Sequence, residues 1–171
     1  MSVDDSGARG EWRVGLGYDV HRFAEGRKLV LGGVPIPDHA GLEGHSDADV
    51  LAHAITDALL GAAGQGDIGR HFPDTDPSYE GADSISLLAE VTKKLDGLGW
   101  RVVNVDATVV CETPRLQPFA DEMGRTLAAA LRAEPASVSV KATTNEGIGF
   151  IGSGEGAAAI AVAQIARDQM N

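Results

Sequence analysis

Residues 47–64 read DADVLAHAITDALLGAAG, and this stretch carries the strongest secondary-structure signal in the chain. Its apolar residues recur at three- and four-residue intervals, which is the period of an α-helix with one buried face. Gly64 then supplies a typical helix end. We therefore predict a helix over residues 47–64 that packs on a neighbouring layer. Its apolar side consists of Leu51, Ile55, Ala58, Leu59 and Ala62.

Strand and helix signals alternate on both sides of this helix. Runs of β-branched residues predict strands, whereas spaced apolar residues that end at glycine predict helices. The last segment, residues 157–169, is rich in alanine and fits either a helix or a buried central strand. The order of elements predicts an α/β or α+β sandwich, with helices packed on a sheet. The predicted strands are 12–20, 29–37, 100–112 and 137–144, and the further helices are 83–99 and 118–134.

Length and composition restrict the classes of protein that this chain can represent. A chain of 171 residues suits one domain, so we expect a disordered leader over residues 1–11 and a single domain over 12–171. The net charge of -11 argues against a nucleic-acid binder, which needs a basic face. No apolar run approaches the ~20 residues of a membrane-spanning helix. Cys111 is the only cysteine, so we expect no internal disulfide and a cytoplasmic location.

Carboxylate and imidazole side chains recur at spacings that suit a metal site. Asp19 and His21 are two residues apart in a predicted strand, so both side chains lie on one face. A polar stripe runs along the predicted helix at four-residue intervals. Two strand residues and one helix histidine would supply three ligands, the usual number in a catalytic zinc site. The polar stripe consists of His45, Asp49, His53 and Asp57.

The alternative interpretation of this stripe is a solvated helix face with scattered surface histidines. The stripe lacks Lys and Arg, which a solvated face normally includes, and this favours the metal site. Asp49 and Asp57 lie one turn either side of His53, so either could hold its imidazole in the right tautomer.

Two loops have residues that suit phosphate or sugar groups. The loop at residues 64–77 has four clustered polar or glycine positions, which suit sugar hydroxyls, a metal or a capped turn. They are Asp67, Gly69, Asp74 and Asp76. Thr143, Thr144 and Glu146 follow a predicted strand, where hydroxyls suit a phosphate and a carboxylate suits a hard cation. Lys141 fits a surface position better than a ligand position.

Several stretches, in their order and spacing, resemble one enzyme family. They are GYDVHRF, HSDADVLAHAITDALLGAAGQGDIGRHFPDTDP, GADS, NVDATVV and KATTNEGIGFIGSGEG. Together they resemble the 2-C-methyl-D-erythritol 2,4-cyclodiphosphate synthases, which act in the non-mevalonate isoprenoid precursor pathway. The resemblance spans residues 13–167 and implies a metal-dependent phosphorus–oxygen lyase. Its implied reaction converts 4-diphosphocytidyl-2-C-methyl-D-erythritol 2-phosphate to the cyclic diphosphate by intramolecular phosphoryl transfer, with release of CMP.

The resemblance also implies an architecture and a set of partners. The implied fold class is α/β (an α+β sandwich), with helices on one face of a mixed β-sheet. The implied assembly is a homotrimer whose sheets face the central axis and whose active sites lie between subunits. The implied ligand is a small cytidyl diphosphate substrate, and neither a nucleic acid nor a membrane is expected.

Site roles follow residue by residue from the matched motifs. Asp19, His21 and His53 match ligands of Zn²⁺ or a similar divalent ion, and Glu146 matches a ligand of Mg²⁺ or Mn²⁺. His45 and Thr144 match residues that stabilise the transition state. The expected substrate contacts form an erythritol group and a cytidine group. They are Asp19, Val20, His21, His45, Ser46, Asp67, Ile68, Gly69, Phe72, Pro73, Asp74, Thr75, Asp76, Cys111, Glu112, Thr113, Pro114, Arg115, Leu116, Gln117, Thr143, Thr144, Asn145, Glu146 and Phe150.

One position departs from the family pattern, and two other functions compete with the synthase. Ser153 stands where family members commonly carry an arginine that lines the trimer channel. Since the substrate is anionic and the chain is acidic, local cations must dominate, and Lys141 and Arg115 are candidates beside the metals. The competing functions are a zinc-dependent phosphodiesterase, in which water attacks, and a non-catalytic trimer that binds nucleotides or isoprenoid diphosphates.

Overall fold

The computed structural model describes residues 10–168 of the chain. Within that range the strands are β1 (Glu11–Leu31), β2 (Val34–Leu42), β3 (Arg101–Val110), β4 (Val138–Thr143) and β5 (Gly156–Arg167). They form one sheet in the order β2-β1-β5-β3-β4, in which only the β3–β4 pair is parallel. The predicted sheet with helices packed on it is confirmed, and the sheet is mixed.

The helices of the described residues differ greatly in length. They are α1 (Val50–Ala63), α2 (Ile68–His71), α3 (Ser84–Gly97), α4 (Ala120–Ala130) and α5 (Gly149–Gly152). The three longer ones, α1, α3 and α4, cover one face of the sheet and bury its apolar residues. Within residues 10–168, no helix combines the length and apolarity that a membrane crossing requires.

The ambiguous alanine-rich segment is β5, which lies in the middle of the sheet. It pairs with β1 on one side and with β3 on the other, while α1 packs against it. Alanine has a high helix propensity, but the central position rewards a buried strand with small side chains, so tertiary packing overrides local preference. The buried alanines include Ala157, Ala159, Ala161 and Ala163.

Several predicted boundaries need correction. The first helix begins at Val50, not residue 47, because Asp49 is its N-cap and accepts from the backbone N–H groups of Leu51 and Ala52. The helix predicted at residues 118–134 corresponds to α4 and is shorter than predicted. It ends before Arg132, whose φ is +52°. Most of the predicted leader lies outside the described residues, but Glu11 already belongs to β1. Residues 169–171 also lie outside them.

Helix α1 approaches β1 unusually closely, and two glycines make that approach possible. A Cβ at Gly15 would lie 1.8 Å from Ala58 O, and one at Gly17 would lie 1.9 Å from Ala54 O. Real Cβ atoms do not occur at such distances, so a larger residue at either position would push the helix away. The inward face of β1 therefore holds the backbone of α1 directly against the strand.

None of the three longer helices in the described residues covers the opposite face of the sheet. On β1 the side chains alternate, so even-numbered residues from 12 to 22 point away from α1. Large apolar side chains on this outer face of β1 and β5 are 37% to 68% exposed, which is typical of surfaces that bind a partner. They are Trp12, Val14, Leu16, Tyr18, Val20, Ile160 and Val162.

Candidate active site

Asp19 and His21, in the middle of β1, meet His53 of α1, as the strand and helix spacing predicts. The strand alternation that directs Gly15 and Gly17 towards α1 directs Asp19 and His21 the same way. Asp19 Oδ2 lies 3.1 Å from His21 Nε2 and 2.9 Å from His53 Nδ1. One ligand atom from each of the three residues lies within 4.8 Å of the others. The structure therefore brings together the three residues predicted as zinc ligands.

The charges of this cluster are strongly coupled. Burial opposes ionisation of Asp19 more than any other single influence, but the hydrogen bonds to His21 and His53 together outweigh it and lower the pKa of Asp19 well below its ordinary value. For His53, burial is again the largest single effect and disfavours the charged ring. The hydrogen bond to Asp19 and the nearby carboxylates together outweigh it, so the pKa of His53 is raised. The cluster therefore has a negative centre that attracts a cation.

The donor atoms fit a divalent transition ion. Two imidazole nitrogens and one carboxylate oxygen form the donor set, and this combination suits zinc with one coordination position left for substrate. All three side chains are partly buried, so few water molecules compete with them. The residues present therefore fit the ion that the sequence implies.

The predicted roles of Asp49 and Asp57 as partners of His53 are wrong. Asp49 is fully buried and accepts from the backbone N–H groups of Gly32 and Gly33, so it fastens the β1–β2 turn to α1. Asp57 accepts from the backbone N–H of Ile68 at 2.7 Å. A four-residue spacing puts these carboxylates near one helix face, but nearby backbone donors hold both of them away from the histidine.

His53 instead contacts two serines and, through one of them, a third aspartate. Its Nε2 lies 2.8 Å from Ser84 Oγ and 3.2 Å from Ser46 Oγ. The Ser84 hydroxyl contacts the carboxylate of Asp47, and the Ser84 backbone N–H donates to the same carboxylate at 3.2 Å. Sequence analysis missed Asp47 and Ser84, although both lie in the HSD and GADS motifs that carry the resemblance.

A cavity of about 440 Å³ opens over the three ligands. His45 lies at its wall, and the ring Nε2–H donates to Asp76 O at 3.2 Å, which joins the cavity to the loop at residues 72–76. Of the predicted erythritol-side residues, many line this cavity. They are Asp19, His21, His45, Ser46, Ile68, Gly69, Phe72 and Asp74.

Arg27, which was not among the predicted site residues, binds the loop that contains His45. The Arg27 guanidinium donates to Gly44 O at 2.9 Å and also contacts Ser46 O. These two carbonyls lie on either side of His45, so Arg27 fixes the local backbone at that residue. No signal in the sequence indicated this role, because Arg27 lies between the predicted strands 12–20 and 29–37, where an arginine more often indicates a surface residue.

Other predicted erythritol-side residues have mainly local roles in the described structure. Asp67 caps α2 by accepting from the Arg70 backbone N–H at 3.0 Å, and Asp76 caps the next turn by accepting from Ser78 N at 2.9 Å. These contacts match the capped-turn alternative that the sequence left open. Pro73 and Thr75 lie in the same loop, between residues that line the cavity.

A second cavity, of about 450 Å³, lies at the carboxyl ends of the parallel strands β3 and β4. Its walls hold most of the predicted cytidine-side residues. They are Cys111, Glu112, Thr113, Pro114, Arg115, Leu116, Gln117, Thr143 and Thr144, together with Ala142. Burial, with a smaller effect from Glu112, raises the pKa of the Cys111 thiol to about 11, so the thiol is protonated at neutral pH.

Glu112 anchors the backbone of the loop at residues 143–147, while the side chains of Thr144 and Glu146 remain exposed. Glu112 Oε1 accepts from the backbone N–H groups of Asn145 at 2.8 Å and Gly147 at 3.2 Å. Thr144 Oγ1 donates to Glu146 Oε1 at 2.8 Å, which brings together the hydroxyl and the carboxylate predicted to act near the second ion. Both side chains are exposed, so ligand atoms can reach them.

The cavity over the three ligands and the cavity at the ends of β3 and β4 share no lining residue, since His45 lines the first and Thr144 lines the second. Lys141 does not supply free positive charge either, because it is bound to Asp106 Oδ1 at 2.6 Å on the outer face of the sheet. The alternative prediction of a surface lysine is therefore correct, and Arg115 remains the cation at the second cavity.

Val20 and Phe150 lie on the outer side of the sheet, at a cavity that His21, one of the three predicted ligands, also lines. They line a cavity of about 290 Å³ together with Arg22 and Glu155. Ser153, which replaces an arginine of the family pattern, contacts Glu155 Oε1 at 3.0 Å, and Arg22 pairs with Glu155 Oε2 at 3.1 Å. An arginine from β1 therefore lies near the position where the expected arginine is missing, but Glu155 is its ion-pair partner.

Comparisons with known proteins agree with the geometry. A family model described as the YgbB family matches residues 12–166. A protein of Pelotomaculum thermopropionicum named 2-C-methyl-D-erythritol 2,4-cyclodiphosphate synthase is 62% identical over 153 residues, which are 90% of this chain and 94% of that protein.

Solved structures share the fold. The bifunctional IspDF from Campylobacter jejuni has a TM-score of 0.89 and 43% identity, over 93% of this chain but only 43% of that longer chain. A Plasmodium falciparum structure titled as an IspF CDP complex has a TM-score of 0.80 and 28% identity, over 92% of this chain and 97% of that one. The chain therefore belongs to the YgbB family, together with relatives named 2-C-methyl-D-erythritol 2,4-cyclodiphosphate synthase.

Proposed function

We propose that this chain converts 4-diphosphocytidyl-2-C-methyl-D-erythritol 2-phosphate to 2-C-methyl-D-erythritol 2,4-cyclodiphosphate and CMP. The observation that carries the proposal is the convergence of Asp19, His21 and His53 at the base of a cavity large enough for a small phosphorylated sugar alcohol. Family membership and the names of relatives that match 90% or more of the chain support the specific substrate.

The reaction is an intramolecular phosphoryl transfer, and its atoms balance without water. An oxygen of the 2-phosphate bonds to the β-phosphorus, the bond from that phosphorus to the bridging oxygen breaks, and CMP leaves with the bridging oxygen. The protein need not supply a nucleophile, so its task is to position two anionic groups and offset their repulsion.

The residues around the first cavity would bind the erythritol end of the substrate. Asp19, His21 and His53 would hold Zn²⁺ or a similar ion, which supplies Lewis-acid polarisation of a phosphate oxygen when bound. His45 and Ser46 lie beside these ligands at the cavity wall, so both can contact phosphate oxygens, and the Ser46 hydroxyl can donate a hydrogen bond to them. The Asp76 carbonyl and Arg27 hold His45 in place, so its side chain would lose little conformational entropy when substrate binds.

The second cavity would bind the cytidine end. Backbone groups of residues 111–117 and the hydroxyls of Thr143 and Thr144 are the groups that can contact the base, ribose and phosphates. Glu146 would hold Mg²⁺ or Mn²⁺ together with substrate phosphates, because an exposed carboxylate suits a hard cation. The Plasmodium falciparum relative, described as an IspF CDP complex, supports a cytidine nucleotide as the ligand class.

The active unit would be a homotrimer with sites shared between subunits. Two independent features of the chain support this assembly. The erythritol-side and cytidine-side cavities have no common lining residue, so one substrate needs both halves from neighbouring copies. The outer face of β1 and β5 exposes a continuous set of large apolar side chains, which an axial contact between three sheets would bury.

We expect the enzyme to work in a reducing compartment, for which the cytoplasm is the proposal. The sequence contains one cysteine, and its thiol is buried with a raised pKa. Neither property depends on disulfide formation, and the chemistry proposed here does not use the thiol.

The direct test is to incubate purified protein with the cytidyl substrate and Mg²⁺, and to follow products by ³¹P NMR in ¹⁸O-labelled water. We expect CMP and the cyclic diphosphate in equal amounts, with no ¹⁸O in either, because no water enters the reaction. An uncyclised, ¹⁸O-labelled product would instead identify a phosphodiesterase, and absence of any turnover would favour a binding protein.

A further inference from the structure

We propose that Asp47 and Ser84 together form a positioning device that keeps the proton of the His53 ring on Nε2 and presents Nδ1 to the metal. The proposal rests on the metal site of the proposed function, but it does not depend on the identity of the substrate. It assigns a role to two residues for which sequence analysis gave none.

Hydrogen bonds connect the Asp47 carboxylate, through Ser84, to the predicted metal ligand His53. The Asp47 carboxylate accepts from both the hydroxyl and the backbone N–H of Ser84, and the latter contact is 3.2 Å long. Ser84 Oγ then lies 2.8 Å from His53 Nε2, and the Ser84 residue is only 1% exposed. On the other side of the same ring, Nδ1 lies 2.9 Å from Asp19 Oδ2.

The direction of each hydrogen bond follows from the chemistry of the groups. An ionised carboxylate can only accept, so the Ser84 hydroxyl proton points to Asp47. The Ser84 oxygen is then left with its lone pairs towards His53, so it accepts a proton from Nε2. At the 2.9 Å contact, Nδ1 donates a proton to Asp19 Oδ2, since a carboxylate can only accept. An ion that binds there would displace this proton, and the Ser84 contact would keep the remaining ring proton on Nε2, so that the Nδ1 lone pair would face the ion.

The neighbouring groups do not provide this function equally well. Ser46 Oγ lies farther from Nε2, at 3.2 Å, and already accepts from the Ala48 backbone N–H. Asp49 and Asp57 are bound to backbone groups elsewhere, as described above. Ser84 is therefore the shortest contact on Nε2, and it is the one whose hydroxyl direction a carboxylate fixes.

The device also links two helices to the metal site. Ser84 is the first residue of α3, and His53 lies on α1, so the hydrogen bond holds the ring at a junction of both helices. A histidine ligand whose second nitrogen is bound in this way has a fixed ring orientation and a more basic donor nitrogen. Loss of such a partner typically lowers metal affinity about 10- to 100-fold.

The test is the variant Ser84→Ala, with zinc affinity measured by chelator competition in the absence of substrate. We expect affinity to fall by about 10- to 100-fold and zinc to dissociate faster. In ¹⁵N-labelled, zinc-loaded protein, the His53 Nε2–H resonance should be protected in the wild type and should broaden or shift in the variant. Ser86→Ala is the matched control, because Ser86 lies on the same helix but its hydroxyl contacts only Asp83.

The helix itself should survive the substitution, because Asp83 is the N-cap of α3 and alanine favours a helix. Circular dichroism checks this point, and Asp47→Asn provides a second variant of nearly equal size that weakens the same line of hydrogen bonds. Unchanged zinc affinity and an unchanged Nε2–H signal in both variants would overturn the proposal. If both variants lose zinc affinity but the wild type releases no CMP, the positioning role of Asp47 and Ser84 is supported and the proposed reaction is contradicted.

Discussion

The erythritol-side cavity and the cytidine-side cavity differ in how firmly the chain itself holds the side chains that line them. Around the first, ligand side chains lie on the regular elements β1 and α1, and each is held by partners within the chain. Around the second, Thr144 and Glu146 lie on a loop, exposed, and bound mainly to each other. The proposed metal half is therefore preorganised within one chain, whereas the proposed nucleotide half presents exposed groups that we expect to gain their main partners only on binding.

The difference has a simple physical origin. A metal ion needs ligand atoms placed within a few tenths of an ångström, and packed strands and helices provide that precision. A nucleotide has many polar groups that backbone amides in a loop can contact, so local adjustment costs less. Variants in the two halves should therefore fail in different ways, and the following predictions use that contrast.

The largest effect is expected for His53→Ala in the preorganised half. Removal of one of three ligands should abolish stoichiometric zinc and lower CMP release by about 1,000-fold or more, because the Lewis acid is lost. Metal analysis and turnover measure both quantities. His71→Ala is the control, since His71 lies outside the metal cluster and contacts Gln65 O. Full zinc content in His53→Ala would contradict the ligand assignment.

The next effect concerns assembly, which joins the two halves. Leu16 is 68% exposed on the outer face of β1, and Leu16→Asp would place a charge in each copy of the proposed contact. We expect trimers to dissociate and turnover to fall about 100-fold, while zinc content per chain stays normal. Light scattering, metal analysis and turnover separate these outcomes. A monomeric variant with full activity would exclude shared sites.

A smaller effect is expected for Glu146→Gln in the exposed half. The carboxamide keeps the size of the side chain but loses the charge that holds a hard cation. CMP release at low Mg²⁺ should fall about 10- to 100-fold, and added Mg²⁺ should partly restore it by mass action. Zinc content should not change. The measurement is turnover against Mg²⁺ concentration.

His21→Ala is the comparison for this prediction, since its missing ion is zinc and Mg²⁺ should not rescue it. A wild-type Mg²⁺ dependence in Glu146→Gln would mean that the loop does not bind the second ion.

The smallest effect concerns the Cys111 thiol at the wall of the second cavity. Burial raises its pKa from the ordinary 9.0 to about 11, so the thiolate fraction at pH 8 is about 100-fold lower than in an unfolded chain. We expect iodoacetamide to react with the native protein correspondingly slowly. Because the native state holds this proton longer, the free energy of unfolding should fall as pH rises from 9.0 towards 11. Rapid alkylation of native protein would contradict the burial of this thiol.

The sequence predicted those parts of the site that depend on regular spacing. Asp19 and His21 were predictable because strand residues two apart share a face, and His53 because the helix around it is strongly periodic. Periodicity does not define where a helix begins, however, so it could not show that Asp49 is an N-cap. A serine at the start of α3 resembles an ordinary helix-start residue, so the contact of Ser84 with His53 depends on tertiary packing that the sequence does not encode locally.

The fold shows the same division. Local patterns predicted α1, α3, β3 and β4, whose apolar spacing matches their burial. The alanine-rich strand β5 was ambiguous, because its strand conformation depends on β1 and β3 on both sides. The pairing of Lys141 with Asp106 could likewise be found only after the parallel register of β3 and β4 was known.

The close contact of α1 with β1 also limits the radius of the ion that the site can hold. Gly17 touches the backbone at Ala54, and these positions lie next to the ligands, since Asp19 follows two residues later on the strand and His53 immediately precedes Ala54. The gap between strand and helix therefore sets the span between donor atoms. Zinc bonds of about 2.0–2.2 Å need a narrower span than calcium bonds of about 2.3–2.6 Å. Two residues without side chains would thus contribute to ion selectivity at the proposed metal site, although neither is a ligand.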